Sequence, residues 1–182
     1  EGTAKERFNA IAKEMSQIRS DFSNHVLDAT KAFELVIEDR ADTEGWPKSL
    51  RQVAAQSYAR TQEGRESDPE NGPWRITLDF PSFSPFMQHH RKRAHRESLY
   101  RAYVTRASSG DLDNTGLIDK LLKLRKEEAS LLGFGSFAEC SLAAKMAPDV
   151  AAVEKMNKEL SAAAFHHMVQ DYKDLEALAR QS

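Results

Sequence analysis

Several features that would narrow the function of a protein quickly are scarce in this sequence. Cys140 is the single cysteine among 182 residues, which excludes an internal disulfide and fits a reducing compartment. No apolar run approaches the roughly 18 residues of a membrane span. The net charge is only −2, so no overall positive field attracts nucleic acid or an anionic membrane. These absences argue against disulfide-stabilised, membrane-inserted and strongly basic proteins.

The composition that is present favours helices. Apolar residues make up 40% and charged residues 30% of the chain, and only 8 glycines and 6 prolines interrupt it. Thr3 and Glu6 have the spacing of a capping box, which satisfies the first free N–H groups of a helix. Apolar side chains then recur every three or four residues, which predicts one long helix with a single apolar stripe. The stripe consists of Phe8, Ile11, Met15, Ile18, Phe22, Val26, Ala29 and Phe33.

A small β-ribbon is expected beside the helices. Residues 35–38 have β-rich composition, and residues 72–80 contain an alternation of large apolar and polar side chains, so we predict two strands that pair with each other. Pro47 can occupy the start of a second helix, which carries Leu50 and Ala54. Residues 1–62 are therefore predicted to form the long helix, a short strand and the second helix. The polar stretch that follows, 63–73, is predicted to be a surface loop.

Residues 84–182 are predicted to form a helical bundle. Ser84 and Pro85 offer an N-cap followed by proline at the first helical position, and the apolar stripe lapses at residues 89–92, where we expect a kink. A further helix is predicted to end at Gly133.

The end of the sequence predicts two more helices. Ser136 and Glu139 form a second capping box, and Pro148 is predicted to open the last helix. This last helix has an apolar stripe that must pack against something, formed by Val150, Val153, Met156, Leu160, Ala164, Met168, Leu175 and Leu178. The whole chain, 1–182, is thus predicted to be a mostly α, multi-helix lobe with a small two-stranded β-ribbon.

The histidines raise the question of a zinc site. A zincin site needs two histidines four residues apart on one helical face, with a glutamate beside the first. His90 and His95 are five residues apart, which on one helix turns them roughly 140° away from each other, and His166 and His167 are adjacent. We therefore assign no catalytic, metal-binding or cofactor-binding residue, and expect solvated or cap-satisfied side chains at His25, His89, His90, His95, His166 and His167.

Residues 111–119 resemble the opening of a calcium-binding EF-hand loop. Asp111 and Asp113 occupy ligand positions and Gly116 the sixth position, but the twelfth position is Leu122, where the loop needs a bidentate glutamate. The favoured interpretation is a turn in which Asp113 or Asn114 caps the next helix.

One basic cluster, residues 89–96, could contact phosphates. It lacks interleaved aromatic residues, and the chain has no basic excess, so a solvated helix face is favoured over a nucleic-acid site. The glycine-rich loops of nucleotide-binding proteins and the serine motif of hydrolases do not occur in the sequence.

Three ordered stretches carry a family resemblance. They are residues 22–33, residues 72–89, and residues 99–115 followed by 131–134 and 143–147. In these stretches the chain resembles the oligopeptidase A branch of the thimet oligopeptidase family, and the resemblance covers nearly the whole chain. It implies a mostly helical N-terminal lobe of a much longer protein, which encloses a deep channel that admits only short peptides. It also implies a zinc ion that activates water for peptide hydrolysis, held by an H-E-x-x-H helix and a later glutamate, none of which matches a position here.

Two functional hypotheses follow from this resemblance. In the first, the chain is a non-catalytic N-terminal portion of a zinc oligopeptidase and forms part of the wall of the substrate channel. In the second, it is a truncated, inactive homologue that serves as a structural or binding subunit of a larger complex. In both, the apolar helix stripes bind the remainder of the peptidase or a larger assembly. We expect an intracellular location, in chloroplast, mitochondrion or cytosol, and neither nucleic-acid binding nor membrane insertion.

Overall fold

The computed structural model describes residues 2–64 and 66–181. Within these ranges the chain forms seven α-helices and two short strands, which confirms the predicted mostly α class with a two-stranded ribbon. None of the described helices combines the length and the hydropathy needed to cross a bilayer. In chain order the elements are α1 (Thr3–Ala32), β1 (Leu35–Ile37), α2 (Lys48–Ala59), β2 (Trp74–Ile76), α3 (Phe80–His89), α4 (Arg93–Val104), α5 (Thr115–Leu131), α6 (Phe137–Leu142) and α7 (Val150–Ala179).

The chain divides into two compact units. One consists of residues 13–121, and the other combines the residues up to Ala12 with those from Leu122 onward. The sequence-based assignment of residues 1–182 to one helical lobe stays a prediction.

The core of the unit 13–121 is built on the ribbon. β1 and β2 pair antiparallel, with Leu35 opposite Ile76 and Ile37 opposite Trp74. Because successive side chains of a strand point to opposite faces, Trp74 and Ile76 enter the core together while Arg75 points outward. Helices α2, α3 and α4 cover the buried face with Leu50, Ala54, Phe86 and Leu99. Complete burial of a side chain as large as Phe86 contributes about 3 kcal/mol.

The second strand is shorter than predicted, and the helix after it begins earlier. Pairing stops at Ile76 because the next residues form a tight turn, in which the backbone N–H of Thr77 donates to Ser82 Oγ over 3.0 Å. Asp79 takes the N-cap position, and its backbone carbonyl accepts from the N–H of Ser82 over 2.9 Å. The predicted N-cap at Ser84 is therefore wrong, and Pro85 lies inside α3.

The predicted kink between α3 and α4 is confirmed. α3 ends at His89, His90 has an extended backbone with ψ 131°, and Lys92 takes the N-cap position of α4. The apolar stripe lapses here because the chain changes direction between two helices.

The other unit contains the end of α5, α6 and α7. Gly133 adopts a left-handed φ of +79°, and the N–H of Phe134 donates to the carbonyl of Ala129 over 2.9 Å, as expected for a helix that ends at glycine. Ser136 Oγ accepts from the N–H of Glu139, which confirms the capping interaction that was predicted. The predicted start of the last helix at Pro148 is two residues too early, because Asp149 is the N-cap and α7 begins at Val150.

Candidate functional site

Helix α7 exposes its apolar stripe from Met156 onward. Its N-terminus is fixed by Asp149, whose Oδ1 accepts from the N–H of Ala152 over 2.7 Å. Among the residues that the structure describes, none in α7 is buried, and Leu160 keeps 61% of its surface exposed. Isolated exposed apolar residues are ordinary, but a continuous set marks an interaction surface. We call this set the α7 apolar face: Met156, Leu160, Phe165, Met168, Tyr172, Leu175 and Leu178.

A buried histidine cluster lies where α3 meets α4. His90 is only 2% exposed, and its ring stacks on Phe86 with a centroid distance of 4.2 Å. Its Nδ1 accepts from the indole N–H of Trp46 over 3.3 Å, and its Nε2 lies 2.9 Å from His95 Nδ1. Because an indole nitrogen can only donate, Nδ1 of His90 carries no proton. The proton of His90 is therefore on Nε2 and is donated to His95.

The cluster is built to hold His90 neutral. Burial lowers the pKa of His90 to about 4, the neighbouring ring of His95 also lowers it, and Asp42 opposes the shift. A proton added at Nδ1 would remove the acceptor of the Trp46 indole N–H. Both ring nitrogens of His90 are thus used in holding Trp46 and α4 against the end of α3.

This arrangement corrects two expectations. His90 and His95 were placed on one helix and turned away from each other, but the break after His89 brings their rings into a stack with a centroid distance of 5.1 Å. His90 is also buried rather than solvated. The bond from Trp46 was missed, and the lapse of the apolar stripe at 89–92 was the signal that could have suggested a corner.

Asn114 ties the start of α5 to α1. It is 3% exposed, its Nδ2 donates to the carbonyl of Phe22 over 3.2 Å, and its Oδ1 lies 2.9 Å from Nδ1 of His25. Asp113, next to it, accepts from the backbone N–H and the hydroxyl of Thr115, and the hydroxyl bond lowers the pKa of that carboxyl. The predicted cap by Asp113 is confirmed. In this geometry Asp113 and Asn114 bind protein groups at the turn.

The basic cluster at 89–96 is largely exposed and forms ion pairs on the surface. Arg91 contacts Glu44 at 2.7 Å, and Lys92 contacts Asp42 at 2.6 Å. Arg96 donates to the backbone carbonyls of the residues at the α3–α4 corner. The prediction of a solvated surface holds for His89, Arg91, Lys92 and Arg93, which are exposed, and is wrong for His90, which the corner buries.

The described residues do not fit the ligand set of a zinc site. Zinc in proteins is held by three or four His, Cys, Asp or Glu side chains. No such group of three that could hold a metal occurs within residues 2–64 and 66–181. His90 and His95 direct nitrogens at each other, and Cys140 is half-buried on α6.

Comparison with known proteins identifies the family. Residues 86–182 match the model of peptidase family M3. The chain is 50% identical over 177 residues to the organellar oligopeptidase A, chloroplastic/mitochondrial, of Arabidopsis thaliana, covering 97% of this chain and 22% of that protein. It is 47% identical over 181 residues to the probable cytosolic oligopeptidase A of the same plant, with 99% and 25% covered.

A bacterial relative supports the same family assignment. Oligopeptidase A of Escherichia coli is 36% identical over 182 residues, with 97% of this chain and 25% of that protein covered. The chain thus spans about a quarter of the length of the relatives that it matches. The family match extends over the corner at His90, the Asn114 turn and the whole α7 apolar face. The resemblance found in the sequence is confirmed, and the chain belongs to peptidase family M3.

Proposed function

We propose that this chain acts as the N-terminal, non-catalytic portion of a zinc oligopeptidase that degrades short peptides. In this role the α7 apolar face packs against the remaining part of the peptidase, and the helices form part of the wall of the channel that receives peptides. In the full-length peptidase, a bound zinc ion would activate water for amide hydrolysis. Its ligands belong to the part of the enzyme outside this chain, so the chain alone does not hydrolyse peptides.

The observation that carries the proposal is the exposed α7 apolar face. Seven large apolar side chains on one helix of 30 residues are open to water, and the relatives have about four times the length of this chain. The remaining part of the peptidase is therefore an occupant of sufficient size for the face. The locations of the relatives suggest that the peptidase acts in a chloroplast, a mitochondrion or the cytosol.

A chimera tests this proposal directly. The matched 177 residues of the organellar oligopeptidase A of Arabidopsis thaliana are replaced by this chain, and hydrolysis of a short quenched fluorescent peptide is measured with and without a chelator. We expect chelator-sensitive hydrolysis by the chimera and none by the chain alone. Leu160→Asp places a charge on the α7 apolar face, and we expect it to reduce the yield of folded, active chimera at least tenfold.

The matched control is Lys173→Asp, on the polar side of the same helix. It introduces the same carboxylate, and we expect the yield and activity of the chimera to be unchanged. A folded chimera without chelator-sensitive hydrolysis would contradict the proposal and favour the alternative, a structural subunit without activity. Equal effects of the two substitutions would exclude the α7 apolar face as the packing surface.

A further inference from the structure

A surface groove on α4 has the chemistry of an anion site. It encloses about 390 Å³ within the unit 13–121 and is lined by Met87, Arg93, Arg96, Glu97, Tyr100 and Arg101. Five of these residues lie on one face of α4, at spacings of three, four, seven and eight residues. The groove thus concentrates three guanidinium groups and one carboxylate in a chain whose net charge is −2.

The charges in the groove are not equally available. Glu97 accepts from Nε and Nη2 of Arg101 over 2.9 and 2.8 Å, which neutralises that guanidinium. Arg96 is engaged by backbone carbonyls at the α3–α4 corner. The Arg93 side chain is exposed and makes no ion pair or hydrogen bond within the described ranges of the chain. One guanidinium, with its planar array of five N–H donors, is thus left free to bind a ligand.

The rest of the lining suits a peptide. Tyr100 is 53% exposed and offers an aromatic face together with a phenol, and Met87 adds a flexible apolar surface. The combination of Tyr, Arg and Met is the one enriched where proteins bind other chains. A groove of this size accommodates a few peptide residues, with an apolar side chain against Tyr100 and a carboxylate at Arg93.

We propose that this groove binds the carboxylate of a short peptide through Arg93, with Tyr100 contacting the neighbouring apolar side chain. The proposal rests on the peptide-binding role of the proposed function and adds a substrate preference to it. The carboxylate can be the C-terminus of the peptide or an acidic side chain, since both present two acceptor oxygens to the planar guanidinium.

Calorimetry with three N-acetylated tripeptides separates these sources. The probes are Ala-Phe-Ala with a free C-terminus, Ala-Phe-Asp with an amidated C-terminus, and Ala-Phe-Ala with an amidated C-terminus. We expect binding of at least one of the first two, and about tenfold weaker binding of the third, because the charge-assisted hydrogen bonds are lost. The preferred probe identifies the source of the carboxylate.

Two variants locate the site. Arg93→Gln is expected to weaken binding of the preferred carboxylate peptide about tenfold and to leave the affinity for the fully neutral peptide unchanged. Arg60→Gln removes a charge from an exposed arginine outside the groove and is expected to have no effect. Equal loss with both variants, an equal affinity for all three probes, or no binding to the chain would overturn the proposal. Because the assay uses the chain alone, its outcome is independent of the activity of the chimera.

Discussion

Acidification should destabilise the unit 13–121 through His90. The pKa of this buried imidazole is lowered to about 4 in the folded chain, against 6.5 for an unperturbed histidine. Between these two pH values the unfolded chain binds a proton at His90 that the folded chain does not bind. The stability that neutral His90 provides is therefore complete above pH 6.5 and is lost as the pH falls from 6.5 to 4. From pH 7.5 to pH 5, this linkage gives a loss of about 2 kcal/mol in the free energy of unfolding.

Urea unfolding at a series of pH values measures this loss. Trp46 and Trp74 both lie in the core of the unit, 6.4 Å apart between ring centroids, so tryptophan fluorescence reports its unfolding. Some carboxyl groups also have a lowered pKa in the folded chain, but their unperturbed pKa values are 3.8 to 4.5. Their effect on the free energy of unfolding therefore changes mainly below pH 5. The loss between pH 7.5 and 5 therefore does not come from these carboxyl groups.

His90→Gln removes the titrating group and keeps an amide that can donate and accept. We expect it to lower the free energy of unfolding at pH 7.5 by about 1 kcal/mol and to flatten the decline toward pH 5. The matched control, His166→Gln, removes an exposed histidine of α7 and should retain the full decline. The same pH dependence in the wild-type chain and in His90→Gln would refute the reasoning, because the proton uptake would then belong to another group.

Three further predictions concern stability. Gly72→Ala places a Cβ 2.6 Å from the ring of Trp74 at a φ of +72° and should lower the free energy of unfolding by about 2 kcal/mol. Gly64→Ala, at a similar φ with open space around it, should lower it less. Equal losses in urea unfolding would exclude the clash with Trp74. Asn114→Ala removes the hydrogen bonds to the carbonyl of Phe22 and to the imidazole of His25 and should cost about 2 kcal/mol in the same assay. Leu160→Asp in the chain alone should change thermal stability by less than about 0.5 kcal/mol, because the residue is exposed, and a large loss would show that it already packs within the chain.

Local sequence patterns predicted most elements, and long-range contacts decided the rest. The stripe through α1, the glycine end at Gly133 and the cap at Ser136 depend on neighbours within a few residues, so they are visible in the sequence. The start of α3 was predicted five residues too late because Ser84 and Pro85 have the residue types of a helix start. The turn that sets the true start depends on the bond between Thr77 and Ser82, which the sequence did not reveal.

The histidine cluster could not be predicted for the same reason, because its contacts join residues that are far apart in the sequence. Trp46 and His90 are 44 residues apart in the chain, and only the packing of α2, α3 and α4 brings them together. The spacing of His90 and His95 was interpreted on the assumption of one continuous helix. Once the helix breaks between them, a separation of five residues no longer fixes an angle, and the two rings stack.

The sequence of α7 explains how the helix can form before its apolar face is covered. It contains neither glycine nor proline and is rich in alanine, the strongest helix former. Pairs four residues apart, Gln170 with Asp174 and Glu176 with Arg180, add local support. If docking removes most of the water from seven exposed apolar side chains, each contributes roughly 1 kcal/mol or more. Because the helix is already formed, little of that gain is lost to ordering its backbone. Ala163→Gly should therefore lower the free energy of unfolding of the chimera by about 1 kcal/mol through helix propensity. A lower urea midpoint for loss of activity would measure this change, and an unchanged midpoint would contradict this account.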